Sequence, residues 1–461
     1  MRVRHVLAVA GVLAGVASCA GVPPVESLPP RPAATGAIVP VADGRGPLPA
    51  AESAAVVRRL ERQGSTDLLA HQLADVGGSS VAAPLVVGNE ARLLIDGPAT
   101  HRAMFEAIAH ARNHVNLESY ILESEGVGER LAKLLARKRA QGVRVNVLYD
   151  SVGSLQTPPE YFAQLRAAGI AVCEFNPVNP LKAPRGWQIN NRDHRKILVV
   201  DGQVAFTGGI NISDVYSAGS FGSARATPAS KNEGWRDTHI ATRGPIVAEF
   251  QRLYLEAWRS QGCEGPAAAA YFPRLPARGN WTMRVVANNP EAGASEMYVA
   301  LHSAIANAAD KVWLTYGYFV PDPETVHTLT DAARRGVDVR IVLPGFSDFW
   351  APLYAGRSHY DELLASGVRI FERRDTVLHA KTAVIDGVWS SVGSTNLDWR
   401  SFVHNYEADV IVLSEPFARE MERLFALDVD ASYEITFDTW RSRGLASRVT
   451  EWFARRWEYF L

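Results

Sequence analysis

The sequence is poor in cysteine, in long apolar runs and in net charge. Three cysteines among 461 residues are too few for a disulfide scaffold or a cysteine-rich zinc site. No apolar run reaches the about 20 residues of a membrane-spanning helix, which argues against an integral membrane protein. The 48 basic and 49 acidic residues give a formal charge of −1, whereas a dedicated nucleic-acid-binding protein usually has a basic excess. With 47% hydrophobic residues, the composition is that of a globular protein with two or three domains, or one large duplicated unit.

The first 18 residues have the composition of a signal peptide. Arg2 and Arg4 precede an apolar and small-residue run over 6–17, which is too short to cross a bilayer. The sequence Val-Ala-Ser-Cys that ends at Cys19 resembles the lipobox of bacterial lipoproteins, in which the peptide is cut before a cysteine whose thiol is lipidated. We therefore expect a membrane-anchored lipoprotein of the bacterial cell envelope, facing the periplasm. The alternative is an ordinary secretory signal with a chance cysteine.

Residues 19–50 are predicted to form a tether between the anchor and the body. Eight prolines fall within 20–50, together with Ala and Gly, and such a stretch cannot build a core. A helical extension is expected over 51–87. Export would permit a disulfide between the two remaining cysteines, Cys173 and Cys263, although the sequence alone does not establish one.

The body of the chain is predicted to be an α/β duplication, because strands and helices alternate and the same order then recurs. The segment QGVRVNVLYD at 141–150 matches RGVDVRIVLP at 335–344. We expect two similar domains, over 88–265 and 266–435, each with a mixed β-sheet flanked by helices. Packed as a pseudo-dimer, they would place a site at their interface. The periodicity predicts strands over 91–95, 115–122, 143–149, 283–286, 312–320 and 337–343, and helices over 99–113, 128–141, 159–168, 295–309, 323–335 and 359–366.

A polar motif occurs once in each half with identical spacing. Its members are His194, Lys196, Asp201 and Asn211 in the first half, and His379, Lys381, Asp386 and Asn396 in the second. Lys follows His by two residues, Asp follows it by seven and Asn by 17. Two residues apart in a strand, His and Lys point to the same face, and the Asp-Gly pair that follows fits a tight hairpin turn. Each half could thus present an imidazole, an ammonium and a carboxamide together.

The paired motif resembles that of the phospholipase D superfamily, HxKxxxxD followed by a Gly/Ser-rich GxxN segment. The resemblance extends over about 88–430. Flanking segments are most similar to bacterial cardiolipin synthases, namely WRDTH at 235–239, GYFVP at 317–321 and GSTNLDWRS at 393–401. Such synthases usually carry N-terminal transmembrane helices, and this sequence has a lipobox and a Pro-rich stretch instead.

The resemblance implies a division of labour between the two histidines. His194 would attack phosphorus and form a covalent phosphohistidine, and His379 would serve as acid and then base, although the pseudo-symmetry leaves the reverse open. The lysines and asparagines of both motifs, Lys196, Lys381, Asn211 and Asn396, would hold the non-bridging phosphate oxygens. Neither a metal nor a cofactor is required. For Asp201 and Asp386 we favour a structural role at the turns.

Each imidazole needs an acceptor on its other nitrogen. Asp237 lies 43 residues after His194, and Glu407 lies 28 residues after His379. The difference of 15 residues equals the length of the loop 217–231. If that loop is an insertion, its removal aligns Asp237 of the first half with Glu407 of the second. We therefore predict that Asp237 orients His194 and that Glu407 orients His379, with carboxylates on a strand surface as the alternative. His239, on the same face as Asp237, and Glu118, at the floor, are weaker candidates.

Three further segments have two interpretations each. The loop 217–231 is either a lid over the acyl chains or an inert insertion. The aromatic stretch 346–354 either lines a groove for lipid or packs in the core. The last segment, 436–461, contains an Arg/aromatic helix that either lies on an anionic membrane or docks on the body.

The function predicted from these features is phosphatidyl transfer on phospholipids, most directly cardiolipin synthesis from phosphatidylglycerol. The alternative is a phospholipase D that hydrolyses phospholipids to phosphatidic acid and the free alcohol. The charge balance disfavours a nuclease, and the intact motifs disfavour a scaffolding protein with a dead site. We expect phospholipid substrates, a membrane anchor, no nucleic-acid partner and a monomer, since one chain carries both motifs.

Overall fold

The computed structural model describes residues 40–62, 68–70, 83–182, 187–221, 234–264, 270–292 and 294–460. It has the predicted α/β duplication, in which two similar halves contain equivalent strands and helices in the same order. The predicted signal peptide, Cys19 and most of the predicted tether lie outside the described residues. Within the described part of the chain, no helix is both long enough and apolar enough to span a bilayer.

The N-terminal region and the first half contain ten strands and five α-helices whose two ends are both described, and residues 68–70 are also helical. The strands are β1 (Val41–Asp43), β2 (Gly46–Pro47), β3 (Leu85–Ile95), β4 (His114–Ser119), β5 (Arg144–Asp150), β6 (Ala171–Phe175), β7 (Arg192–Asp193), β8 (Ile197–Val200), β9 (Val204–Gly208) and β10 (Thr238–Arg243). The helices are α1 (Ala50–Glu61), α2 (Asp96–Ala109), α3 (Val127–Ala140), α4 (Pro159–Ala167) and α5 (Val247–Ser260).

The second half repeats this order and then adds a C-terminal segment. The strands are β11 (Trp281–Asn289), β12 (Ala294–Ser295), β13 (Lys311–Tyr316), β14 (Phe319–Val320), β15 (Asp338–Pro344), β16 (Arg369–Arg373), β17 (Lys381–Ile385), β18 (Trp389–Gly393), β19 (Leu397–Asp398), β20 (Asn405–Leu413) and β21 (Ser432–Ile435). The helices are α6 (Glu296–Ala306), α7 (Pro323–Arg334), α8 (Trp350–Arg357), α9 (Tyr360–Ala365), α10 (Trp399–Val403), α11 (Glu415–Asp430), α12 (Phe437–Arg441) and α13 (Leu445–Arg455).

The two halves have the same strand order. In the first half it is β6-β5-β4-β8-β9-β10-β3, with β4, β5 and β6 parallel and the remaining pairs antiparallel. The second half has the equivalent order β16-β15-β13-β17-β18-β20-β11. Antiparallel pairing of β3 with β11 joins them into one continuous sheet. Each half is therefore the mixed sheet that the sequence predicted.

Helices cover the sheet, and a shared core joins the halves. One apolar cluster packs α2, α3 and α4 on the first sheet, and another packs α6, α7 and α9 on the second. A third cluster includes Val199 and Ile240 from the first half with Val384 and Val410 from the second. Because this cluster is assembled from both sheets, the two halves form one body around their interface. A disulfide between Cys173 and Cys263 ties β6 to the segment after α5.

Two local differences from the sequence prediction have simple causes. The end of the predicted tether, 41–47, forms the β1–β2 hairpin, and β1 pairs in parallel with β3. Val41 is buried there, so a proline-rich composition did not prevent local sheet pairing. The strand predicted over 312–320 breaks into β13 and β14, because Gly317 packs against the backbone of His379, where a Cβ would clash. That close approach brings Tyr318 to the motif.

Candidate active site

The acidic residue of each motif shapes a hairpin turn. Asp201 and Asp386 adopt φ values of 54° and 49°, and a glycine with positive φ follows each. This left-handed pair is the geometry of the tight hairpin that connects β8 to β9 and β17 to β18. The Asp201 carboxylate also accepts backbone N–H bonds of 2.7–2.9 Å from residues 112, 113 and 114 at the start of β4. Asp386 does the same at 309–311, so both groups anchor the motif strand to its neighbour.

The two histidines meet at the interface between the halves. The backbone N–H of His194 donates to the carbonyl of Tyr406 in the second half, and that of His379 donates to the carbonyl of Arg236 in the first. Both side chains are buried, with 8% of His194 and 5% of His379 exposed. Each ring also contacts a tyrosine edge-on, Tyr120 in the first half and Tyr318 in the second.

The carboxylates that orient the histidines come from the opposite halves, which corrects the predicted pairing. The Nδ1 of His194 lies 3.0 Å from both carboxylate oxygens of Glu407, and the Nδ1 of His379 lies 2.7 Å from Oδ2 of Asp237. The prediction had paired Asp237 with His194 and Glu407 with His379. It was wrong because β7 pairs in parallel with β20, and Arg236 bridges to Leu378. The strand that carries each carboxylate therefore runs beside the motif of the other half.

The electrostatics favour neutral imidazoles with a fixed tautomer. Burial, followed by the charges of Lys196 and Lys381, holds the pKa of His194 well below its usual value. Burial and Lys381 lower the pKa of His379 as well. Since an ionised carboxylate can only accept, each Nδ1–H donates to its partner and leaves the Nε2 lone pair available.

The two carboxylates differ in their own ionisation. Burial raises the pKa of Glu407 to about 7. Burial also opposes ionisation of Asp237, but the charge and hydrogen bond of His379, together with Lys381, outweigh it and lower the pKa of Asp237. The Asp237 carboxylate is therefore the stronger counter-ion of the two.

The lysines lie beside their own histidines. Each Nζ donates to the backbone carbonyl of the motif histidine, Lys196 to His194 and Lys381 to His379. Burial lowers the pKa of Lys196 to about 7 and that of Lys381 to about 8. An anionic ligand entering between them would favour the charged ammonium forms.

The asparagines follow the second strand of each hairpin and are also buried. Asn211 accepts from the backbone N–H of Ile121 at 3.1 Å and donates to Tyr216 Oη at 3.4 Å. The Oδ1 of Asn396 is buried and has no hydrogen-bond partner among the described residues. The structure thus brings histidine, lysine and asparagine of both motifs to one place.

Two hydroxyl groups were missed from the sequence. Tyr216 Oη lies 3.2 Å from His379 Nδ1, and Ser401 Oγ donates to Glu407 Oε1 at 2.9 Å. Both residues follow the motif asparagine by five positions, 211 to 216 and 396 to 401. This shared offset is the signal that could have found them. Each histidine–carboxylate pair has a hydroxyl partner, but the partners differ in kind.

The weaker candidates have no hydrogen bond to the motif histidines among the described residues. Glu118 lies 2.9 Å from Arg195 Nε, and Arg195 also contacts Asp193, so this carboxylate belongs to a separate charge cluster. His239 is buried opposite Gly208, and burial lowers its pKa to about 3. Residues 222–231 of the loop 217–231 lie outside the described residues, whereas Phe221 packs on the guanidinium groups of Arg236 and Arg373.

The aromatic stretch 346–354 is divided between core and surface. Phe346 packs against the cluster that contains Tyr216, while Phe349 and Trp350 are exposed. Asp348 accepts a hydrogen bond of 2.7 Å from Tyr318 Oη, which ties this stretch to the residues beside His379. The core interpretation therefore holds for Phe346, and a groove for lipid at Phe349 and Trp350 stays a prediction.

Comparison with known proteins gives consistent results. The family described as "Cardiolipin synthase, PLD-like domain" matches residues 104–218 and 301–429. The chain is 33% identical over 372 residues to a cardiolipin synthase of Geobacillus kaustophilus, covering 80% of this chain and 72% of that protein. It is 35% identical to cardiolipin synthase A of Pseudomonas entomophila, covering 79% and 74%. In fold it is similar to a phosphatidylserine synthase of Haemophilus influenzae, with a TM-score of 0.59 at 13% identity over 82% of this chain and 97% of that one.

Proposed function

Since the chain belongs to the cardiolipin synthase family with phospholipase D-like domains, and is therefore a phospholipase D-type phosphatidyltransferase, we propose that it makes cardiolipin from phosphatidylglycerol through a phosphohistidine intermediate. The observation that carries the proposal is the pair of buried imidazoles, each oriented through Nδ1 by a carboxylate from the opposite half. Two such groups can perform two successive displacements at one phosphorus.

In the first step His194 is the nucleophile. Its Nε2 attacks the phosphorus of phosphatidylglycerol, a P–N bond forms and the P–O bond to the headgroup glycerol breaks. The proton that the leaving glycerol needs comes from His379. The ionised Asp237 supports the imidazolium form of His379, and the negative charge of the bound phosphodiester adds to that support. The weaker counter-ion, Glu407, leaves His194 neutral for attack.

In the second step a headgroup hydroxyl of another phosphatidylglycerol is the acceptor. His379, now neutral, takes its proton, the oxygen attacks phosphorus and the P–N bond breaks. Two phosphatidylglycerol molecules thus give one cardiolipin and one glycerol. Lys196, Lys381 and the two motif asparagines hold the non-bridging oxygens while charge accumulates there.

We further propose that the mature protein begins at a lipidated Cys19, behind which 20–39 tether the body to the periplasmic side of a membrane. The lipobox and the proline content support this, and the disulfide between Cys173 and Cys263 fits an oxidising compartment. Both motifs and both orienting carboxylates belong to one chain, so a monomer would be catalytically complete.

The test is a product analysis by mass spectrometry with the full-length protein in phosphatidylglycerol bilayers. We expect cardiolipin and glycerol in equal amounts, abolished by His194→Ala. The matched control is His327→Ala, which removes a histidine that is 62% exposed on α7. Phosphatidic acid without cardiolipin would replace the proposal with hydrolysis, and equal products from His194→Ala would refute the mechanism.

A further inference from the structure

The C-terminal helix α13 turns its apolar side to solvent. Leu445, Val449, Trp452 and Phe453 are 77%, 63%, 58% and 52% exposed. The last three follow Leu445 by four, seven and eight residues, which places all four side chains on one face of a helix. A helix of a soluble protein normally buries such a face, because apolar side chains are more stable away from water.

The opposite face of α13, which meets the body, is small or charged. Glu451 and Ala454 are 3% and 1% exposed. The Glu451 carboxylate accepts from the Arg443 guanidinium at 2.9–3.2 Å, and Arg443 also contacts Asp361 on α9. The body therefore holds the polar side of the helix, which is the inverse of ordinary packing.

Contacts at both ends fix this orientation. Before α13, the buried Trp440 packs on Tyr360, with ring centroids 4.8 Å apart. After it, the Tyr459 ring lies 5.4 Å from that of Trp399, and Glu458 contacts His359. A roll of the helix that hid its apolar face would break these contacts and the buried Arg443–Glu451 pair.

Arginines flank the exposed apolar face. Arg448, Arg455 and Arg456 are all exposed, and the guanidinium of Arg456 lies 4.9 Å from the centre of the Trp452 ring. Aliphatic side chains and aromatic rings bordered by guanidinium groups match the boundary between acyl chains and anionic headgroups. A protein partner would need no such border of cations.

The buried side of α13 packs near the candidate active site. Ala454 packs with Val320 and Ala355. Val320 follows Tyr318 by two residues, and the Tyr318 ring contacts that of His379. Trp350, 52% exposed, begins α8, the helix that packs against α13. A bilayer that touched the exposed face of α13 would therefore lie against a helix that packs on the segment beside His379.

We propose that residues 445, 449, 452 and 453, with Arg448, Arg455 and Arg456, form a docking face that lies in the surface of an anionic phospholipid bilayer. The docking face acts independently of any anchor at Cys19 and holds the site against its lipid substrate. Because arginines border the apolar residues, we assign this face to a lipid surface. The competing occupants are a second copy of the chain and residues 1–39.

The test is flotation of the full-length protein, carrying Cys19→Ser to prevent lipidation, with vesicles of phosphatidylglycerol or phosphatidylcholine. We expect binding to phosphatidylglycerol vesicles that falls at least about tenfold in Val449→Ser/Trp452→Ser/Phe453→Ser. Arg448→Gln/Arg455→Gln/Arg456→Gln should remove the preference for the anionic lipid. The matched control is Leu155→Ser/Leu181→Ser, which changes exposed apolar residues outside α13 and should bind as the parent does.

Two outcomes overturn the proposal. The first is unchanged vesicle binding by the triple serine variant. The second is a parent dimer that the same variant converts to a monomer in light scattering, which would assign the face to a second copy. Transfer on dispersed short-chain phosphatidylglycerol should survive in the triple variant. Loss of binding with retained transfer therefore separates this inference from the proposed function.

Discussion

The crossed pairing of histidines and carboxylates predicts opposite kinetic defects for two conservative substitutions. Glu407→Gln removes the charge beside Nδ1 of His194, and Asp237→Asn removes the charge beside Nδ1 of His379. If His194 is the nucleophile, Glu407→Gln should slow formation of the phosphohistidine. Asp237→Asn should slow its breakdown, because that step needs His379 as base.

The magnitude follows from the hydrogen bonds that change. The distances of 3.0 Å and 2.7 Å are those of charge-assisted bonds, which contribute about 1.5–3 kcal/mol each. The bond has this strength only while the imidazole is cationic, which is the case in the transition state. Its loss therefore corresponds to a rate decrease of about 10- to 150-fold in the affected step. With a leaving group that needs no acid, the other step should change little, since the second histidine keeps its partner.

The assay is rapid quenching with a phosphatidyl ester of nitrophenol, a leaving group that needs no acid. Asp237→Asn should retain a full burst of nitrophenol and accumulate the covalent intermediate, and Glu407→Gln should lose the burst. Peptide mass spectrometry then locates the modified histidine. The pairing would be refuted if His194 is the modified residue, Glu407→Gln keeps a normal burst and Asp237→Asn loses it. Modification of His379 would reverse the assigned roles.

Four further substitutions or conditions test other parts of the site. Burial raises the pKa of Glu407 to about 7, so acidification through that value neutralises the carboxylate. The rate of transfer should therefore decrease as the pH is lowered below 7, and Glu407→Gln should flatten this limb of the pH–rate profile. Tyr216→Phe removes the hydroxyl beside His379 and should lower kcat about 5- to 20-fold with KM and melting temperature nearly unchanged, as steady-state kinetics and calorimetry can show. Asp386→Ala leaves three backbone N–H groups without their acceptor and should lower the free energy of unfolding by about 2–4 kcal/mol in urea, with a smaller loss for Asp386→Asn. Cys173→Ser/Cys263→Ser opens a loop with a sequence separation of 90 and should lower it by about 3–5 kcal/mol, whereas a reductant should have no effect on this variant.

The features that the sequence predicted correctly are those that local chemistry determines. An Asp-Gly pair between two apolar strands requires a tight turn, and the structure has left-handed φ values at Asp201 and Asp386. Alternation of side chains with a period of two also fits Arg195, which lies between His194 and Lys196 in the segment that joins β7 to β8 and contacts Glu118. Applied to Arg195, that rule would have removed Glu118 from the candidate floor of the site.

The crossed pairing was beyond such local rules. Aligning the halves through the 15-residue loop correctly identified Asp237 and Glu407 as equivalent positions. Equivalence, however, holds equally for pairing within a half and for pairing between halves. Only the contacts between the halves, β7 with β20 and Arg236 with Leu378, distinguish the two arrangements. These contacts depend on how two whole sheets meet, which no short segment encodes.

The same symmetry sharpens the question of how two equivalent histidines acquire different roles. Any difference must come from positions at which the halves diverge, and two of these positions form or contact the histidine–carboxylate pairs. At one position the first half has Asp237 and the second half has Glu407. The pKa of Asp237 is lowered, whereas burial raises the pKa of Glu407 to about 7. The other is Tyr216 against Ser401, where a phenol contacts His379 Nδ1 and a hydroxymethyl contacts the Glu407 carboxylate. Both differences favour protonation of His379 over protonation of His194, because Asp237 is the more readily ionised counter-ion while Ser401 donates a hydrogen bond to Glu407. Exchange of Asp237 and Glu407 between the halves, as Asp237→Glu/Glu407→Asp, should therefore weaken the distinction and reduce transfer while both histidines remain in place.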